Sequence, residues 1–153
     1  MLVVVSGGFD CLHIGHIRLL KKARELGYLV VILNSDRFLT IKKGRPFMPF
    51  EERKEILESI KYVDRVIPCI DKDQTVCKTL KKLKPDIFAN GGDRIDGNIP
   101  EAEVCEENNI KMIFGVGGGK IESSSNLIKN AINFHNNAIN KTRRIKSSSG
   151  MPI

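Results

Sequence analysis

Ser6-Gly7-Gly8-Phe9-Asp10-Cys11-Leu12-His13-Ile14-Gly15-His16 follows the apolar run Leu2-Val3-Val4-Val5 and leads into Ile17-Arg18-Leu19-Leu20-Lys21-Lys22-Ala23. A β-branched run that stops at paired glycines and continues, past two histidines, into a helical pattern reads as strand, tight loop, helix. The first turn of such a helix has unpaired N–H groups and the positive end of the macrodipole, so it attracts anions. Gly7 and Gly8 let backbone approach a ligand where a Cβ would collide, and Gly15 does the same beside the histidines. His13 and His16, three residues apart at the helix mouth, can face one ligand and donate to a phosphoryl oxygen as charge builds there. The glycine spacing is neither GxGxxG nor GxxxxGK[ST], so the two common nucleotide fingerprints are excluded.

Outward from this stretch the chain alternates strand and helix. Gly27 closes the first helix, and Tyr28 to Leu33 is a second buried strand that ends at the polar residues Asn34-Ser35-Asp36. Lys42 to Pro49 reads as an irregular basic loop, and Glu51 to Ile60 as a helix with Ile56, Leu57 and Ile60 on one face and Arg53 on another side. Val63 to Pro68, Asp86 to Asn90 and Lys111 to Phe114 read as further strands, with helices over 75–82 and 100–108 between them. The fourth strand runs into Gly91-Gly92-Asp93-Arg94. A flexible glycine loop, 115–120, precedes a last helix with Ser123, Ser124 and Ser125 in capping position. The pattern predicts a single α/β domain, Rossmann-like and doubly wound, with about five parallel strands. It spans 1–135, and residues 136–153 form a basic, serine-rich flexible tail, part of which extends the last helix.

A chain of 153 residues suits one domain with a proper core. No apolar run approaches the roughly 20 residues that span a bilayer, and the amino terminus is already strand, so a soluble cytoplasmic protein is expected. The four cysteines have no CxxC pair, which argues against a zinc knuckle or a disulfide framework. The net charge of +7 lies largely in the tail and comes without a recognisable nucleic-acid module, so the expected partners are small anionic substrates. A homodimer is the default assembly.

GGFDCLHIGH resembles the HxGH signature of the nucleotidylyltransferase superfamily, in its cytidylyltransferase-like branch. The similarity covers nearly all of residues 2–130, in order. It is nearest to the glycerol-phosphate cytidylyltransferases and the heptose-1-phosphate adenylyltransferase domains, through Asn34-Ser35-Asp36, Arg45-Pro46, Glu52-Arg53, Tyr62 to Ile67, Gly91-Gly92-Asp93 and Ser123 to Ile128. The resemblance implies transfer of a nucleoside monophosphate from ATP or CTP to a phosphorylated small molecule, with release of pyrophosphate. It implies His13 and His16, with Lys42 or Lys43, as catalytic groups. It implies Gly7, Gly8, Phe9, Asp10, Gly15, Asp93, Lys120, Ser123, Ser124 and Ser125 on the nucleotide, and Asn34, Asp36, Arg45 and Arg53 on the acceptor. Mg²⁺ would arrive with the triphosphate, with no dedicated metal site and Asp10 as an outer-shell partner.

One departure bears on the base. The cytidylyltransferase pattern has an arginine shortly before the closing serines, where this chain has Gly117-Gly118-Gly119-Lys120, and lysine lacks the bidentate fork. Together with GGDR, this favours AMP transfer to an acceptor such as a sugar 1-phosphate. The alternatives are a CTP:glycerol-3-phosphate cytidylyltransferase, an FMN adenylyltransferase and a non-catalytic nucleotide-binding module.

Overall fold

Val3, Val4 and Val5 are fully buried at consecutive positions of β1 (Leu2–Gly7), a pattern that arises only where both faces of a sheet are covered. The computed structural model describes residues 1–92 and 99–148. After β1 come α1 (Ile14–Leu26), β2 (Tyr28–Leu33), α2 (Asp36–Lys43), α3 (Phe50–Glu58) and β3 (Arg65–Pro68). Then follow α4 (Cys77–Leu83), β4 (Ile87–Ala89), α5 (Glu101–Glu107), β5 (Lys111–Ile113) and α6 (Ser124–Ser148). The sheet has the order β3-β2-β1-β4-β5, and every pairing is parallel. This is the expected Rossmann-like α/β architecture.

The pleat sends alternate side chains to two separate cores. Val3, Val5, Leu29, Val31 and Leu33 pack with Leu20 and Ala23 of α1 and Leu57 of α3. Val4, Val30, Ile32 and Phe88 pack with Val76 and Leu80 at α4 and with Cys105 of α5. The chain proceeds from β1 to β2 to β3 in one direction, then returns to lay β4 and β5 on the other side of β1. The order therefore reverses between β1 and β4, and at such a point the carboxyl ends of the strands open a crevice.

Three elements differ from the sequence reading. Lys42 and Lys43 are not in an irregular loop but in the last turn of α2, which starts where Ser35 Oγ accepts from Phe38 N at 3.0 Å and ends at Gly44, φ 94°. The helix was hidden because Asn34-Ser35-Asp36 reads as a strand ending, whereas Ser35 is an N-cap. The lysines sit where a helix dipole favours cations. Helix α4 begins at Cys77 rather than Thr75, its first turn held by Asp71, whose carboxylate accepts from the N–H groups of Lys78 (2.7 Å) and Thr79 (3.0 Å). Helix α6 runs unbroken through the change of composition at Asn136, with no residue buried along its length. Among the described residues, no helix is long and apolar enough to cross a membrane.

Candidate functional site

A cleft of about 590 Å³ opens over the carboxyl ends of β1 and β4, walled by the β1–α1 loop, the end of α2, the glycine-rich loop after β5 and the start of α6. It gathers Gly7, Gly8, Phe9, Asp10, His13, Gly15 and His16 with Asn34, Lys42, Lys43, Lys120, Ser123, Ser124 and Ser125. Asp36, Arg45 and Arg53 are not on its walls, and Asp93 lies outside the described residues.

The two histidines cap the helix they precede. His13 is the N-cap of α1: its Nδ1 accepts from Gly15 N at 3.1 Å, while His13 N donates to His16 Nδ1 at 3.1 Å. This is a capping box written in imidazoles, with His16 at the position usually held by Glu or Gln. Each Nδ1 lone pair is thus committed to a backbone N–H, so the neutral rings carry their proton on Nε2. The rings stack with centroids 3.7 Å apart, and Phe9 packs behind His16 at 4.9 Å. Burial, reinforced by the neighbouring His13, pushes the His16 pKa down to about 4. Burial also lowers His13, Glu122 pulling against it and Lys120 with it. At neutral pH the pair is uncharged and offers two N–H donors of fixed orientation.

Glycine makes this arrangement fit. A Cβ on Gly15 would lie 2.9 Å from His13 Cε1, so any other residue would displace the ring that caps the helix. Gly117, at φ +87°, passes so close to α1 that a Cβ would lie 2.8 Å from Leu19 N. The segment 115–120, expected to be flexible, is instead packed: Val116 N donates to Asn90 O at 3.0 Å and Gly118 N to Gly115 O at 3.1 Å. Of its glycines, Gly117 serves close approach of backbone to backbone, while a Cβ on Gly115, Gly118 or Gly119 would meet open space. The packing brings the start of α6 to the cleft, where Ser123 Oγ accepts from Asn126 N at 3.1 Å and Ser124 Oγ donates to Cys11 O at 2.7 Å.

Asp10 does not reach outward as an outer-shell metal partner. Its side chain is 1% exposed, and both oxygens are engaged: Oδ2 accepts from Phe47 N (2.6 Å) and pairs with Lys43 Nζ (2.8 Å), and Oδ1 accepts from Met48 N (2.8 Å). Burial alone would raise its pKa, but Lys43 and the two N–H groups outweigh it and hold the carboxyl below its ordinary value. Lys43 also donates to Asp10 O at 2.7 Å, so its ammonium is tied down. Lys42 lies on the cleft wall beside it.

Arg53 is likewise not positioned as an acceptor ligand. Its side chain is wholly buried and donates to Gly8 O (2.9 Å), Asn34 O (2.8 Å), Met48 O (2.9 Å) and Asp36 Oδ1 (2.7 Å). A guanidinium so occupied positions the loops around the cleft, and Asp36 serves as its counter-ion. The helical period put Arg53 off the apolar face but gave no sign that carbonyls would surround it.

Among the cleft-wall residues that escaped the sequence reading are the polar side chains of Gln74, Thr75, Asn90, Glu101 and Glu122. Glu101 opens α5 and is 2% exposed. In the sequence it resembles the acidic residue any helix start prefers, so only the fold distinguishes it.

The cytidylyltransferase-like family profile matches residues 4–148. The chain belongs to the cytidylyltransferase-like family of nucleotidylyltransferases. It is 39% identical over 121 residues to the glycerol-3-phosphate cytidylyltransferase of Staphylococcus aureus, covering 78% of this chain and 91% of that protein. It is 47% identical over 94 residues to the FAD synthase of Pyrococcus abyssi, covering 60% of this chain and 63% of that one. The match therefore spans somewhat under two thirds of the FAD synthase's length. A solved structure, the lipopolysaccharide core biosynthesis protein from Thermoplasma volcanium GSS1, superposes with a TM-score of 0.64 at 31% identity, over 78% of this chain and 97% of that chain. For a cytidylyltransferase-like protein, a crevice at the β1/β4 reversal lined with anion-binding helix starts is the expected place for a nucleotide.

Proposed function

We propose that the chain transfers a nucleoside monophosphate, AMP in the first place, from a nucleoside triphosphate to a phosphorylated small molecule such as a sugar 1-phosphate, releasing pyrophosphate. The supporting observation is a pair of neutral imidazoles, locked as Nε2 donors, in one cleft with the N-terminal turns of α1 and α6. An oxygen of the acceptor phosphate attacks the α-phosphorus in line, and the bond to the bridging oxygen of the β-phosphate breaks. Catalysis of this kind is positioning and charge stabilisation, with no covalent enzyme intermediate. His13 and His16 donate to the oxygens of the transferred phosphoryl. Lys42 neutralises charge as the pentavalent centre forms, since the Lys43 ammonium is held by Asp10. The serines at the start of α6, with Lys120, receive the leaving pyrophosphate.

The metal enters as part of the substrate. Among the described residues, no group of three or more His, Cys, Asp or Glu could hold an ion. We place Mg²⁺ on the phosphates, largely hydrated, as Mg·NTP. A second reading, CTP with glycerol 3-phosphate, draws on the Staphylococcus relative matched over 91% of its length. A third, FMN as acceptor, draws on the Pyrococcus relative. A homodimer and a cytoplasmic location, where triphosphates are plentiful and four free thiols persist, complete the proposal.

Pyrophosphate release with ATP or CTP and Mg²⁺, against glucose 1-phosphate, glycerol 3-phosphate and FMN, is the test. Turnover with ATP is expected. Binding of ATP with no turnover in any pairing would make the chain a nucleotide-binding module instead.

A further inference from the structure

We infer that Glu101 accepts a hydrogen bond from a hydroxyl group of a substrate and so selects for polyhydroxy ligands. The inference rests on the transfer reading above and names a specificity-determining residue for it. Among the described residues, two buried side-chain atoms have no hydrogen-bond partner, Glu101 Oε2 and Asn34 Oδ1, and both residues line the same cleft.

Both residues are otherwise fixed. Glu101 is 2% exposed and uses Oε1 to accept from Val76 N at 3.2 Å, so the carboxylate joins α5 to the start of α4. One oxygen is enough for that joint. Asn34 is 6% exposed, its N–H donates to Gly7 O at 2.9 Å and its carbonyl accepts from Arg53, while its buried side-chain oxygen has no partner. Buried polar atoms in folded proteins nearly always have a partner, and two exceptions on one cleft point to donors that arrive with a ligand. Both are acceptors, which fixes the ligand group as a donor. A carboxylate repels phosphate, whereas the same cleft carries Lys42 and Lys120, so the phosphates go to the lysines and the uncharged body of a substrate faces Glu101. Asn34 is neutral and offers nothing to balance a cation, so paired hydroxyls match the two acceptors better than an ammonium does.

Such hydroxyls can come from the acceptor or from the ribose of the triphosphate, and binding calorimetry separates the two. The proteins are wild type, Glu101→Gln and Glu101→Leu. The ligands are ATP, 2′,3′-dideoxy-ATP, glucose 1-phosphate, glycerol 3-phosphate and phosphoethanolamine. Glu101→Leu should weaken a hydroxyl-bearing ligand by about tenfold or more, the range for a hydrogen bond to a charged group. Glu101→Gln, which keeps the acceptor for Val76 N–H, should lose less, because a hydroxyl can turn to accept from the amide. A loss seen with ATP and absent with the dideoxy analogue assigns the contact to the ribose. A loss seen with glucose 1-phosphate or glycerol 3-phosphate assigns it to the acceptor. The inference is overturned if both variants bind every ligand like wild type, if phosphoethanolamine suffers most and equally in both, or if all affinities drop together with the melting temperature. Wild-type binding without pyrophosphate release would refute transfer while leaving the hydroxyl contact standing.

Discussion

His16 does two things at once: it presents an Nε2 donor to the cleft and uses Nδ1 to cap α1. His16→Ala therefore removes both, and should cost about 1 kcal/mol of stability from the cap as well as about 10²-fold or more in pyrophosphate release. His16→Asn keeps an acceptor for His13 N and should restore the stability without the activity, a separation that denaturant titration and a turnover assay read together. The histidine also predicts a pH response. Its folded pKa of about 4 lies below the usual 6.5, so the unfolded chain binds the extra proton between those values. Its stability contribution is complete above pH 6.5 and is lost as the pH falls through about 4. Since the half-buried ring keeps some solvent contact, wild type should lose on the order of 2 kcal/mol more than His16→Asn across that window in urea titrations. The two lysines divide in the same manner. Lys42→Ala should lower kcat with melting unchanged. Lys43→Ala strands the buried Asp10 carboxylate and should cost about 3 kcal/mol.

Among the elements, the glycine-rich segment between β5 and α6 separates conformational strain from steric fit. Gly117 and Gly118 both have positive φ, but a Cβ on Gly117 meets the backbone of α1, whereas one on Gly118 meets open space. Gly118→Ala should cost about 1 kcal/mol for the left-handed backbone alone. Gly117→Ala should cost clearly more and reduce activity, because it pushes the start of α6 away from the histidines; thermal melts and turnover of the pair check this. Composition gave three glycines in a row the look of a flexible loop, since a sequence does not display what its backbone will lie against. The first helix was legible for the opposite reason. His13, Gly15 and His16 act within one turn, so their spacing already contains the cap. Helix α2 was missed because Ser35 can end a strand or begin a helix, and only the closing Gly44 argues for the second.

Taken whole, the architecture was readable from apolar runs bounded by glycine and proline, because a parallel sheet covered on both faces leaves continuous hydrophobic stretches. The outer members of the site were harder. Asp36, Arg45 and Arg53 appear in the right order along the chain, yet order does not say which side of a wall a side chain occupies. Helix α6 has Lys129, Lys141, Arg143, Arg144 and Lys146 and no acidic residue, and none of it is buried. Truncation after Asn136 should therefore leave the melting temperature and pyrophosphate release close to those of the full chain, whatever the distal helix contacts in solution. Arg53 bears on the molecule at this scale too. One planar cation from α3 fastens the ends of β1 and β2 and the 44–49 segment to a single point. The mouth of the cleft is consequently shaped as the chain folds, ahead of any substrate, and a slip in one of the three segments is handed on to the other two.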